Sequence, residues 1–85
     1  KYWLYFKEAF NNAYKNFLDK IKNIHPELTA NDLKFCAFLR LNLSSKEIAP
    51  LLNISVRSVE IKRYRLRKKL RIDHEVNLVD YILEV

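Results

Sequence analysis

The sequence predicts an all-α fold, and three observations carry that reading. Glycine is absent from all 85 residues, so hairpin turns that need positive φ are hard to build. Apolar residues recur at spacings of three and four along most of the chain. Ser, Thr and Asn stand just ahead of several of these runs, where helix N-caps belong. Helices joined by short turns satisfy all three.

A chain of 85 residues makes one small domain with a modest core. Its composition, 49% hydrophobic and 31% charged, is that of a folded domain and not of a disordered tail. No apolar run reaches the roughly 18 residues of a membrane span, and no signal peptide is evident. The chain begins with Lys1, not Met, and reads as a piece of a longer protein. Cys36 is the single cysteine. It excludes an internal disulfide and a multi-cysteine zinc site, and a reducing compartment fits. Set among Leu33, Phe35, Phe38 and Leu39, it reads as a small core residue.

Residues 2–24 are expected to form one long amphipathic helix. Trp3, Phe6, Phe10, Ala13, Phe17 and Ile24 make an apolar stripe with Ile21 beside it. Lys7, Glu8, Asn11, Asn12, Lys15, Asn16, Lys20, Lys22 and Asn23 fill the other face. The aromatic stripe either packs on the rest of the domain or pairs with the same helix of a second chain. Pro26 ends the helix, because the residue before proline avoids the α region. The expected division is therefore a linker or dimerisation helix over 1–26 and a second unit over 27–85.

The second helix starts at Thr29, whose hydroxyl can accept from the Asp32 N–H, and ends near Leu41. Asn42 suits a left-handed position after it. Ser44-Ser45-Lys46-Glu47 is a capping-box pattern opening a third helix, with Ile48, Leu51 and Leu52 on its apolar face. Asn53 allows a tight left-handed turn, and Ser55 caps a fourth helix from Val56 to about Leu70. Val56, Val59, Leu66 and Leu70 share one sector of that helix. Arg57, Ile61, Tyr64 and Lys68 share the opposite one. Arg63 falls near the apolar sector, where its stem is expected to pack while its guanidinium reaches out to solvent. A last helix, 77–85, presents Leu78, Tyr81, Ile82 and Val85 on one side.

Charge is concentrated. Residues 57–71 hold eight Lys and Arg against Glu60 alone, a net of +7 in a chain of net +6. Such a stretch is either a solvated helix face or the footprint of a polyanion partner. Its place in the pattern favours the second. Two short helices with a tight turn, the second basic outside, describe a helix-turn-helix. The first braces the second, which enters the major groove of double-stranded DNA.

Base contacts are expected from Arg57 to guanine, Glu60 to the cytosine amino group, Ile61 to a thymine methyl, and Tyr64. The plainer alternatives are a Glu60 paired with Arg57 or Arg63 and an Ile61 that is simply a surface apolar residue; Tyr64 reaches either a base or a phosphate. Phosphate contacts are expected from Lys62, Arg65, Lys68 and Lys69, with Lys46. The helix starts at Ser44 and Ser55 add backbone donors, and Ser58 in the first turn after Ser55 is a further expected contact. Seven phosphate contacts across a dimer would give a log–log salt slope of about −6, at roughly 0.9 per contact.

With these residues in place, the chain resembles the LuxR/GerE family. The resemblance rests on Leu28-Thr29 with Asp32, Ser44-Ser45-Lys46-Glu47-Ile48-Ala49, Leu52-Asn53-Ile54-Ser55, Ser58-Val59, Leu66 and Lys69-Leu70. It covers about residues 27–85. It implies a four-helix module preceded by a long amphipathic helix, and sequence-specific transcription control by a bacterial cytoplasmic regulator. His25-Pro26-Glu27-Leu28-Thr29 and the aromatic residues ahead of it are similar to the C-terminal end of large sensor-regulators. This implies an upstream sensor region, often membrane-anchored, and a homodimer, often through the final helix.

Three positions depart from the family pattern. Lys62 replaces a common His, Asn42 a frequent Gly, and Pro50 lies inside the bracing helix. There Pro50 removes a hydrogen bond, a loss of about 3 kcal/mol in an ordinary interior, and is expected to kink or shorten the helix. Region 4 of a sigma factor shares the same helix-turn-helix logic, and a module binding an acidic protein is the rival of another class. No cofactor or metal set is apparent, and nothing points to an enzyme. His25 reads as a linker residue and His74 as part of a solvated turn.

Overall fold

The computed structural model describes residues 2–85 as six helices. They are α1 (Tyr2–Ala13), α2 (Phe17–Ile24), α3 (Ala30–Arg40), α4 (Ser45–Leu52), α5 (Val56–Leu70) and α6 (Leu78–Glu84). No strand occurs among the described residues. α3 lies at the centre, with Leu33 and the run from Phe35 to Leu39 all buried. A helix apolar on most sides must be surrounded, and α2 and α6 pack against this one while α4 packs against α5.

The segment expected as one helix is two. Lys15 (φ 55°) and Asn16 (φ 62°) are left-handed and break it. A straight helix over 2–24 would run about 34 Å, longer than the molecule's largest extent of 29 Å. The break folds the stripe back, so that Phe10, Phe17, Leu18 and Ile21 are all buried in the core shared with α3 to α6. Trp3 and Phe6 continue the stripe at its margin. Their rings stack at 5.8 Å, and Phe6 meets Phe38 edge-on at 6.4 Å. Of the two expectations for the stripe, packing on the chain's own domain is the one observed.

Two stripe positions are corrected, because the bend changes which face points inward. Ala13 is exposed, and so is Ile24. Asn11, assigned to the polar face, is buried. Its Oδ1 accepts from the Leu18 N–H at 2.9 Å. Asn16 provides no side-chain cap to α2, so Asn11 satisfies one of the orphan donors there.

The expected caps form. Thr29 Oγ1 accepts from Asp32 N at 3.2 Å, and Asp32 Oδ2 accepts from Thr29 N at 2.9 Å. Ser44 and Glu47 make the same reciprocal pair at 3.2 and 2.8 Å. Ser55 Oγ accepts from Ser58 N at 3.1 Å. Asn42 and Asn53 are left-handed at φ 61° and 56°. Behind them, Leu43 N donates to Phe38 O, and Ile54 N to Ala49 O. α3 and α4 therefore end in the same six-to-one closure.

α4 is eight residues long and continues through Pro50 to Leu52. Pro50 and Lys46, whose carbonyl lacks the usual donor, are both exposed. Water can replace that bond, which is the compensation the sequence did not disclose. Cys36 is fully buried, and burial, followed by the nearby Asp32 charge, pushes its thiol up to about 12. It is an inert core residue.

Candidate nucleic-acid interface

α5 is anchored from one side. Val59, Leu66 and Leu70 are buried against the core. Val56, placed with them from spacing, is instead exposed at the first position of α5. On the opposite sector Arg57, Ile61, Tyr64 and Lys68 are all exposed. Ile61 is 42% and Tyr64 59% accessible, which sets an apolar and an aromatic side chain among the cations. The Lys68 ammonium stands over the Tyr64 ring, 4.9 Å from its centroid. That cation–π contact restricts both side chains.

Glu60 pairs with neither neighbouring arginine. Its Oε2 accepts from the Ser45 hydroxyl in the first turn of α4. No ion pair among the described residues includes Glu60. Spacing along α5 pointed to Arg57 or Arg63; the partner comes instead from the bracing helix.

The basic residues divide into free and committed groups. Lys46, Lys62 and Arg65 are exposed and make no ion pair among the described residues, while Lys68 is exposed beside Tyr64. Lys69 is bonded to Asp32 at 2.5 Å, tying the end of α5 to the start of α3. Burial raises the Asp32 carboxyl's pKa, but bonds from Lys69 and Thr29 outweigh it and hold it below its ordinary value. Asn31, Asp32, Lys62, Arg65 and Lys69 line a shallow cleft along this flank.

Arg67 is committed too. It donates to Val76 O at 2.7 Å and Asp73 O at 3.0 Å, fastening the loop between α5 and α6. Spacing gave no sign of this, because the acceptors are backbone carbonyls. The expectation for Arg63 is corrected. Its Nη1 is buried without a partner, so the guanidinium does not reach fully into solvent.

Ser44, Ser55 and Ser58 lie at the starts of α4 and α5. Their hydroxyls serve the caps, and the Ser55 hydroxyl donates to Ser58 Oγ at 3.1 Å. The first N–H groups of each helix remain outside the intrahelical pattern. All twelve expected contact residues therefore sit on α4, α5 or their caps, with Glu60 and Lys69 bonded to other helices and the three serines to their own caps.

His25 is not a linker residue. Its Nε2 lies 2.8 Å from the Tyr81 hydroxyl of α6. His74 does stand in a solvated turn. No group of three or more His, Cys, Asp or Glu among the described residues could hold a metal, and no described helix is long and apolar enough to cross a membrane.

A search of curated proteins and of solved structures found no match. The family model described as GerE, bacterial regulatory proteins of the luxR family, matches residues 37–82. That span is more than half of the chain and takes in all of α4 and α5, the pair that forms the helix-turn-helix. The chain therefore belongs to the luxR family of bacterial regulatory proteins and carries a DNA-binding helix-turn-helix.

Proposed function

We propose that this chain is the sequence-reading part of a signal-responsive transcription regulator. α5 lies in the major groove, with Arg57, Glu60, Ile61 and Tyr64 at base edges. Lys46, Lys62, Arg65, Lys68 and Lys69 contact phosphates, with Ser44, Ser55 and Ser58 at the helix starts. The observation that carries this reading is the two-sided character of α5. Val59, Leu66 and Leu70 are buried, while Ile61 and Tyr64 are exposed among the residues holding all of the chain's excess positive charge.

The regulator acts as a homodimer in the bacterial cytoplasm, under a sensor region of the same longer protein. Exposed apolar side chains lie on both α1 (Tyr2, Leu4 and Tyr5) and α6 (Leu83), the two helices available for pairing. Sequence-reading is tested by selecting bound fragments from genomic DNA with the wild type, Arg57→Ala and Tyr64→Ala. Each variant should lose preference at its own base positions. Unchanged preference in both would refute the assignment.

A further inference from the structure

We infer that Ser45 is a specificity-positioning residue, acting through Glu60. The inference rests on the proposed role of Glu60 as a base reader. A carboxylate in this setting has easier partners: Arg57 and Arg63 stand three residues to either side of it, within reach on the same helix. It is bonded instead to the Ser45 hydroxyl.

The choice of partner matters chemically. An arginine would neutralise Glu60 and occupy both of its oxygens in a fork. A hydroxyl supplies one donor and no charge. The Ser45 bond leaves the second oxygen of Glu60 without a hydrogen bond among the described residues. A charged acceptor near phosphates is repelled unless a base donor meets it. That contrast rewards a cytosine amino group and penalises a base edge that offers only acceptors.

Ser45 is suited to hold such a group. It occupies the first position of α4, fixed by the Ser44–Glu47 box beside it, and α4 is packed on α5. The carboxylate is thus referenced to the bracing helix and not to an arginine of its own helix. Preorganisation of this kind lowers the cost of ordering the carboxylate on binding, and the gain falls on the base that can pair with it.

The test compares base preference for the wild type, Ser45→Ala, Ser45→Thr, Glu60→Ala and the double Ala variant of the whole 85-residue chain, with thermal melting of each. Glu60→Ala should lose on the order of tenfold discrimination at one base-pair position. Ser45→Ala should lose about threefold to tenfold at that same position, with salt dependence unchanged. Ser45→Thr should restore it, and the double variant should match Glu60→Ala alone.

If Glu60→Ala relaxes one position while Ser45→Ala does not, or weakens all sequences equally, the positioning role is overturned and Glu60 keeps its reading role. If Glu60→Ala leaves every preference intact, Glu60 is no reader and the inference falls with that part of the proposed function.

Discussion

The His25 Nε2 and the Tyr81 hydroxyl lie 2.8 Å apart across 56 residues of sequence. Their rings meet edge-on, with centroids 6.1 Å apart. The bond ties the turn after α2 to α6. Burial, followed by the neighbouring Cys36, raises the Tyr81 pKa, so the hydroxyl stays neutral. Tyr81→Phe should cost about 1 kcal/mol in urea denaturation. His25→Ala should cost more, since the side chain is largely buried. If Tyr81→Phe is neutral, the bond contributes nothing net.

Asp32 should make stability depend on acidity. Its folded pKa lies below the ordinary 3.8, so the unfolded chain binds the proton more readily. The stabilisation is complete above the ordinary value and is lost as pH falls through the folded one. Asp32→Asn should be less stable than the wild type by about 1 kcal/mol at neutral pH. That gap should close as the solution is acidified below about pH 4. Urea midpoints across the pH range check this, and a constant gap would contradict it.

Pro50→Ala should stabilise the chain. It restores an N–H for the Lys46 carbonyl and replaces a poor helix former with the best one. The alanine also frees the unfolded chain, which offsets part of the gain. A net increase of about 1–2 kcal/mol is expected. A lower melting temperature would mean that the proline ring has a packing role on its exposed side.

The free and committed basic residues should separate in salt titrations of DNA binding. Lys62→Ala and Arg65→Ala should each reduce the log–log slope by roughly 0.9 per protomer. Arg67→Ala should leave the slope nearly unchanged and lower stability, because its guanidinium is bonded to the Asp73 and Val76 carbonyls. A full unit lost in Arg67→Ala would show that those bonds give way to phosphate.

The local features were legible in the sequence. Thr29, Ser44 and Ser55 each cap a backbone N–H three residues ahead, so their role is written in short spacing. Asn42 and Asn53 were legible for the same reason, as the best non-glycine residues for a left-handed turn. The break at Lys15 and Asn16 was not. Apolar spacing continues across it from Phe10 to Phe17 and Ile21, and the bond that secures it joins Asn11 to Leu18 through space. At the interface, the outward sector of α5 followed from periodicity. The partners of Glu60, Lys69 and Arg67 did not, since each lies on another element or on a loop.

The bend at Lys15 and Asn16 also changes what the first 24 residues can transmit. A straight helix would be a lever, passing rotation along its axis. Folded back, α1 and α2 form a clasp closed on α3 by Phe10, Phe17 and Ile21. A twist applied to α1 would have to turn the packed core with it, because Phe10 is seated there beside Phe17 and Ile21.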